Sequence, residues 1–258
     1  MRENPMKAAL KRGEAQIGTW INLVHNPAVL SLLKAAGLDY ARVDMEHTAV
    51  SVETISHFAV LARALSFPVT VRPPEGTREW ITRLLDAGVW NVHIPQVDTP
   101  EQAEAIAQAA RYAPEGARGM IGVGPGTDFE SGGDPRENLA FANAQIHVTI
   151  MLETREAFTH LNEIASVPGI DALTLGPSDL AQDLGVFGTP GQAEVLDEHR
   201  YRMTESALKH GKDVAMRVET VAQAKQWIEA GAKLLSYSSD VAVLKGGFRT
   251  AMSELRPR

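Results

Sequence analysis

The sequence contains no cysteine among its 258 residues. This absence excludes thiol nucleophiles, disulfides and thiolate metal ligands. Lysine and arginine number 25 against 32 aspartates and glutamates, and the bases form no patch, so we expect no nucleic-acid partner. No apolar run approaches the roughly 20 residues that cross a bilayer, and the polar N-terminus does not resemble a signal peptide. We therefore expect a cytoplasmic protein without membrane contact.

Short apolar runs typical of β-strands alternate with longer segments of helical period, and several of these segments end in glycine. Eight such units predict a parallel sheet closed into a (β/α)8 barrel, the TIM barrel of the α/β class, in a single domain spanning residues 1–258. A doubly wound open sheet is the alternative. The predicted strands span residues 17–23, 39–44, 68–72, 90–94, 146–152, 171–175, 213–217 and 233–237.

One segment interrupts this alternation. Residues 113–144 are rich in glycine, proline and acidic residues. Loops of this length inside a compact domain are either functional or mobile. We therefore predict that the segment is a long loop that acts as a lid or as a contact between subunits.

Two carboxylates follow neighbouring predicted strands. Glu153 comes directly after the fifth strand, and Asp179 lies a few residues after the sixth. The carboxyl ends of barrel strands share one rim, so both acids are expected there. Two acids that converge repel each other unless a proton or a cation lies between them, and a divalent metal ion is the plainest occupant. The alternative is that Glu153 caps a helix and Asp179 makes a turn.

The position of the lysines bears on the chemistry. All eight lie in predicted helices or at strand starts, so none is available on the rim to form a Schiff base. Carbanion chemistry at this rim would therefore need a metal ion as the electron sink. Glycine-rich phosphate loops are also missing after the last two strands, which favours a carboxylate substrate held by Arg72 and the backbone amides of residues 176–179.

Several motifs of the chain resemble the HpcH/HpaI aldolase family. They are VDMEH (43–47), TVRPP (70–74), LLDAG (84–88), RYAPEGARG (111–119), MLETREA (151–157) and LGPSDLAQDLG (175–185). The resemblance runs in one register from about residue 18 to about residue 245. It implies a TIM barrel and a metal-dependent class II pyruvate aldolase, which makes or cleaves 4-hydroxy-2-oxo acids from a 2-oxo acid such as pyruvate or hydroxypyruvate and an aldehyde.

The resemblance also implies a role for individual residues. The metal ligands would be Glu153 and Asp179, and the ion Mg²⁺, Mn²⁺ or Co²⁺. It implies further that Arg72 stabilises the pyruvate enolate, that His47 accepts the proton, and that Asp86 raises the basicity of that histidine. The residues implied in substrate binding are Arg72, Gly176, Pro177, Ser178, Asp179 and, near the pyruvate, Trp20.

One position departs from the family pattern. Met151 occupies the place where the family usually has glutamine, so a polar contact to the substrate is replaced by a soft apolar one. The metal pair is unaffected by this change. The resemblance further implies a homo-oligomer, a hexamer or a trimer.

Three other functions remain compatible with the same barrel and acid pair. An acyl-CoA lyase of the malyl- or citramalyl-CoA type is one, although the sequence shows no basic patch for the CoA phosphates. Decarboxylation of an oxaloacetate-like acid needs the same enolate. The last is a non-catalytic metabolite-binding barrel, in which the metal would support no turnover.

Overall fold

The computed structural model describes residues 1–256 and contains a closed barrel of eight parallel strands in chain order. The predicted TIM barrel is therefore confirmed, and each predicted strand is present to within two residues at either end. The strands are β1 Gln16–Ile21, β2 Tyr40–Asp44, β3 Val69–Arg72, β4 Asn91–Ile94, β5 His147–Leu152, β6 Ala172–Leu175, β7 Asp213–Val218 and β8 Leu234–Ser239.

Twelve helices surround or close this barrel within the described residues. They are α1 Pro5–Lys11, α2 Val29–Ala35, α3 Val52–Leu65, α4 Arg78–Asp86, α5 Pro100–Ala110, α6 Pro135–Gln145, α7 Arg155–Thr159, α8 Leu161–Ser166, α9 Pro177–Asp183, α10 Gln192–Lys209, α11 Val221–Glu229 and α12 Asp240–Leu255. None of them is long and apolar enough to cross a membrane.

Local sequence signals account for where the helices begin. At α5, the Thr99 side chain accepts a hydrogen bond from the backbone N–H of Gln102, and the Gln102 side-chain oxygen accepts one from the backbone N–H of Thr99. This reciprocal cap satisfies donors that the first helical turn leaves free, and Pro100 suits a position that needs no N–H. At α3 and α11, the side chains of Ser51 and Thr220 also accept a hydrogen bond from the backbone N–H three residues on, without the reciprocal bond.

The alternation of residues along the strands separates two environments. In β2, Ala41 and Val43 face outward and belong to the apolar core between sheet and helices, whereas Arg42 borders the cavity inside the barrel. The interior closes tightly below: a Cβ on Gly18 of β1 would lie 2.6 Å from the Tyr40 backbone oxygen, so only glycine fits at that position. The barrel lumen is therefore polar near its C-terminal end and filled lower down.

Helix α1 closes the N-terminal end of the barrel. Its residues Met6 and Leu10 are buried in one cluster with Tyr40 and other residues of the barrel interior. The preceding Asn4 is fully buried, and its side-chain N–H donates to Asn91 Oδ1 over 2.7 Å. This end is thus sealed, which leaves the C-terminal end as the accessible one.

The segment 113–144 differs from the prediction in two respects. It is not a continuous loop, because it contains a short 3-10 turn at Pro125–Thr127 and the first ten residues of α6. It also connects the end of α5 to the start of β5, which places it at the N-terminal end of the barrel. Its contacts agree: Arg63, near the end of α3, donates to the Gly126 carbonyl over 3.2 Å. The segment therefore does not cover the C-terminal cavity of its own chain, and its role as a lid or as a contact between subunits stays a prediction.

Candidate active site

A cavity opens at the C-terminal end of the barrel, with a volume of about 160 Å³. A water molecule occupies about 30 Å³ in the liquid, so the cavity has room for a molecule of a few heavy atoms. It is bordered by eight of the nine side chains and backbone positions that the sequence predicts for the site. These are Trp20, His47, Arg72, Glu153, Gly176, Pro177, Ser178 and Asp179.

Glu153 is held at the end of β5 by its surroundings. Its Oε1 accepts a hydrogen bond of 2.8 Å from the backbone N–H of Gln96, a residue with a left-handed φ of 54°. A Cβ on Gly176 would lie 2.1 Å from Glu153 Oε2, so only a glycine leaves space for this carboxylate. The pairing of β5 with β6 therefore positions Glu153 against the start of α9, which carries Asp179.

The charge state of Glu153 reflects burial and neighbouring acids. Burial, together with the charges of Asp179 and Glu46, raises the pKa of its carboxyl group to about 7, against the lowering effects of the Gln96 N–H and Arg72. Asp179 lies in the first turn of α9 and is exposed. Three carboxylates thus concentrate negative charge at one end of the cavity.

Arg72, the last residue of β3, is fixed by two acids. Its Nε and Nη2 donate to the two oxygens of Asp44 over 3.0 and 2.7 Å, and its Nη1 lies 2.9 Å from Glu46 Oε2. Asn22 supports Asp44 with a further hydrogen bond of 3.2 Å. The guanidinium carbon lies 4.7 Å from the centre of the Trp20 ring. These contacts orient the guanidinium at the cavity wall before any ligand binds.

His47 occupies the rim of the cavity. Its side chain is 60% exposed, and its Nε2 lies 3.4 Å from Glu46 Oε2. Burial raises the pKa of Glu46, whereas the charges of Arg72 and His47 lower it. Glu46 therefore links the imidazole to the guanidinium of Arg72.

Asp86 is the predicted site residue that lies elsewhere. It ends α4, and helices of this barrel end at the N-terminal side, away from the cavity. Its Oδ1 accepts a hydrogen bond of 2.6 Å from Arg118 Nη2. The pairing of Asp86 with His47 is therefore not made within one chain, because the strand and helix directions place the two residues at opposite ends.

Two residues of the cavity were missed by the sequence analysis. Arg42 and His93 border the cavity from the middle of β2 and the third position of β4, below the rim. Both alternate with apolar residues that face the helices, which is the signal that could have found them. Only residues at strand ends were considered, so charged residues deeper in the barrel were overlooked. Met151 also borders the cavity, as an apolar patch next to Glu153.

The fold and this cavity define the class of the protein: a TIM-barrel enzyme with carboxylates, a guanidinium and an imidazole at the C-terminal end, where such barrels carry their active sites. A family model described as HpcH/HpaI aldolase/citrate lyase matches residues 16–245. The 5-keto-4-deoxy-D-glucarate aldolase of Klebsiella pneumoniae is 33% identical over 252 residues, which cover 98% of this chain and 95% of the relative.

Solved structures give the same result. An HpcH/HpaI aldolase from Desulfitobacterium hafniense superposes with a TM-score of 0.92 at 31% identity, covering 98% of this chain and 96% of the other. A family protein from Burkholderia cenocepacia superposes with a TM-score of 0.85 at 30% identity, covering 98% and 99%. The chain belongs to the HpcH/HpaI aldolase/citrate lyase family, as the resemblance indicated, and it is a carbon–carbon lyase of the aldolase type.

Proposed function

We propose that this chain is a divalent-metal-dependent aldolase that cleaves or forms 4-hydroxy-2-oxo acids, with pyruvate or hydroxypyruvate as the 2-oxo acid and an aldehyde as the other partner. The observation that carries the proposal is that Glu153, Asp179 and Arg72 border one small cavity at the C-terminal end of the barrel. Carboxylates for a cation and a fixed guanidinium are the groups that an enolate-forming reaction needs side by side.

The residues present fit a divalent ion, and enzymes of this family generally depend on one. The buried carboxylate of Glu153, with its raised pKa and its acidic neighbours, is stabilised by a cation. Residues 1–256 contain no group of three or more potential ligands, so Glu153 and Asp179 would hold the ion with substrate oxygens and water. Bound Mg²⁺, Mn²⁺ or Co²⁺ would supply positive charge that stabilises an enolate.

The remaining residues act on the organic substrate. Arg72 donates hydrogen bonds to the ketone oxygen, where negative charge develops, and Asp44 prevents its side chain from turning away. His47 accepts the proton of the 4-hydroxyl group, and its exposed position suits an entering or leaving aldehyde. The first turn of α9 offers the backbone N–H groups of Ser178 and Asp179, which have no acceptor within the helix, to the carboxylate of the 2-oxo acid.

The role that the resemblance implies for Asp86 requires a second copy of the chain. Within one chain Asp86 lies at the end opposite to His47, so the two can meet only if one subunit presents its N-terminal end to the cavity of another. We therefore propose Asp86 as a residue that acts in the cavity of a neighbouring subunit. The segment 113–144 lies at the same end and would then form a subunit contact.

Helix α12 supports self-association. It buries none of its residues within the chain, although several of them are large and apolar. Phe248 and Leu255 are 69% and 73% exposed, with Val243, Leu244 and Met252 also exposed. Large apolar surfaces of this kind mark contacts with another protein. We propose a homo-oligomer, a hexamer or a trimer, in the cytoplasm where small 2-oxo acids are available.

Removal of the metal ion tests the proposed function. A chelator should lower pyruvate release from a 4-hydroxy-2-oxo acid by about 10³-fold or more, because the enolate loses its main counter-charge. Addition of Mn²⁺ or Co²⁺ should restore release, together with deuterium exchange at the pyruvate methyl group. Turnover that survives complete chelation would contradict the proposal, and binding without any turnover would favour a metabolite-binding barrel.

Mixing two inactive variants tests the subunit arrangement. His47→Ala and Asp86→Asn should each lower the rate by about 10² or more, because each removes part of the proton acceptor. If the residues meet between subunits, co-refolding both variants should restore about a quarter of the sites, since half of the subunits supply each intact residue. Arg118→Met, which removes the partner of Asp86 within the chain, is the control for a purely structural effect. Mixed variants that stay inactive would remove Asp86 from the site.

A further inference from the structure

The floor of the active cavity carries a positive charge that the proposed chemistry does not use. Arg42 is only 2% exposed, and its guanidinium carbon lies 5.2 Å from the centre of the Trp20 ring. His93, which is fully buried, lies next to both, with its ring centre 5.5 Å from that of Trp20. All three residues border the cavity that also holds Glu153. A cation thus lies at the bottom of the site, below the carboxylates.

Arg42 has no acidic partner. Within residues 1–256, no carboxylate oxygen lies within 4.0 Å of its guanidinium, and Asp44, two residues further along β2, is engaged with Arg72. Burial lowers the pKa of Arg42, and the positive charge of Arg72 lowers it further, against a raising effect of Tyr40. A guanidinium still keeps its proton in proteins. A buried charge without a counter-charge lowers the free energy of unfolding, so Arg42 destabilises the free protein.

Three N–H donors at the floor also lack acceptors. Arg42 Nη1 contacts His93 Nδ1, and because a guanidinium only donates, Nδ1 must accept and the ring proton must lie on Nε2. Burial holds the pKa of His93 well below its ordinary value, which agrees with a neutral ring. The buried Nε2 of His93, Nε of Arg42 and Nε1 of Trp20 have no hydrogen-bond partner. Buried donors are almost always paired, so an acceptor is missing here.

We propose that Arg42, with Trp20 and His93, recognises a second carboxylate of the substrate, in addition to the one that the proposed aldolase binds at the rim. A carboxylate supplies both what the guanidinium lacks, a negative charge, and what the donors lack, acceptor oxygens. A bound water would satisfy some of the donors but would leave the charge uncompensated. The inference rests on the proposed function and assigns the residues that favour substrates with a second acidic group.

Matched pairs of ligands test this subsite and identify which half of the substrate carries the second carboxylate. On the 2-oxo acid side, 2-oxoglutarate is compared with 2-oxopentanoate in calorimetric titrations of the Mn²⁺-loaded protein. On the aldehyde side, the KM of succinic semialdehyde in condensation with pyruvate is compared with that of butanal. Each pair has equal chain length and differs in one carboxylate. In one of the two pairs, we expect the acid to be preferred by about tenfold or more.

The variant Arg42→Met should reduce that preference to less than about twofold, because it keeps the length of the side chain and removes its charge. Arg217→Met is the matched control: Arg217 borders the same cavity but is exposed and lies 2.9 Å from Glu219, so the preference should persist. If Arg42→Met does not fold, Arg42→Lys, which keeps the charge and shifts the donor, should lower the preference only in part.

Two outcomes would overturn the inference. The wild-type protein shows no preference for the carboxylate in either pair, or the Arg42 variants retain the full preference. Deuterium exchange at the pyruvate methyl group is measured in every protein. Exchange that persists in the wild type while the preference is absent would remove the subsite and leave the aldolase intact, whereas absent exchange in the wild type would contradict the aldolase itself.

Discussion

The two ends of this barrel differ in whether their buried charges are paired. At the N-terminal end, each buried arginine has an acidic partner: Arg63 pairs with Asp128 at 2.7 Å, Arg111 with Asp171 at 2.9 Å and Arg118 with Asp86 at 2.6 Å. The C-terminal end carries four acids, Asp44, Glu46, Glu153 and Asp179. Only Arg72 pairs with any of them, and Arg42, which lies below them, has no acidic partner.

This difference separates architecture from chemistry. A pair that is complete within the chain needs no ligand and serves to fix the segments that it joins, as Arg63 and Asp128 fix the segment 113–144 against α3. Charges that stay unbalanced cost stability in the free protein and are retained where a ligand compensates them. A cation would stabilise the unbalanced acids at the rim, and an anion would stabilise the unbalanced guanidinium at the floor.

Removal of one arginine from each end tests whether the two ends differ in function in this way. Arg72→Ala should lower the rate of pyruvate deuterium exchange by about 10² to 10³, because it deletes a fixed donor at the developing enolate. Arg63→Ala should also lower the free energy of unfolding by roughly 3 kcal/mol, because it removes the nearest charged partner of Asp128 and the donor to the Gly88 and Gly126 carbonyls. Exchange rates and denaturant unfolding are measured for both variants.

The two variants should differ in exchange rate rather than in stability. Arg72→Ala should also lose stability, because it leaves the fully buried Asp44 without its partner, but only Arg72→Ala should lose exchange under conditions where both variants are folded. Arg72→Lys adds a further check, since an ammonium keeps the charge but lacks the planar fork that contacts Asp44 in two places. Equal loss of exchange in both variants, measured where both are folded, would mean that Arg72 has no special role in the chemistry.

The pH dependence of stability should show the cost of the unbalanced acids. Because the pKa of Glu153 is raised to about 7 from an ordinary value near 4.5, the folded state favours the protonated form. The free energy of unfolding of the metal-free protein should therefore fall as the pH rises from about 4.5 to about 7, by about 3 kcal/mol in total. Glu153→Gln removes this dependence, so it should be more stable than the wild type at pH 8 but not at pH 4.5.

Thermal unfolding in the presence of a chelator measures this effect. A gain of about 3 kcal/mol corresponds to an increase in Tm of roughly 5 to 10 °C for a chain of this size. Glu153→Gln should at the same time lose aldolase activity, because it removes a proposed metal ligand. An equal change in Tm at pH 4.5 and at pH 8 would show that the substitution acts through packing rather than through charge.

The elements of the barrel were predictable from sequence because their signals are local. Strand runs, helical period and terminal glycines identify each unit, and Glu153 follows its strand directly, so its position on the rim was predictable too. Arg42 and His93 were missed because their significance depends on the closed lumen, which no local pattern reveals. Asp86 was assigned by resemblance alone, and neither the sequence nor a single chain shows which subunit it serves.

The smallest effect on stability is expected for the Arg63–Asp128 pair at the N-terminal end, and its pH dependence is opposite to that of Glu153. Burial would raise the pKa of Asp128, but the hydrogen bond and charge of Arg63 outweigh it, so that pKa is lowered. The pair therefore contributes stability above the ordinary aspartate pKa near 3.8 and loses it as the pH falls through the lower folded value. Asp128 has a left-handed φ of 55°, which asparagine tolerates, so Asp128→Asn removes the charge without straining the backbone.

Asp128→Asn should lower the free energy of unfolding by roughly 1.5 kcal/mol at pH 7, and the difference from the wild type should shrink below pH 4. Denaturant unfolding between pH 7 and pH 3 measures both values. Wild-type stability should thus respond to two acids with opposite signs, decreasing through Glu153 as the pH rises toward 7 and decreasing through Asp128 only in strong acid. A loss that stays constant down to pH 3 would show that Arg63 holds the segment through its bonds to the Gly88 and Gly126 carbonyls rather than through this ion pair.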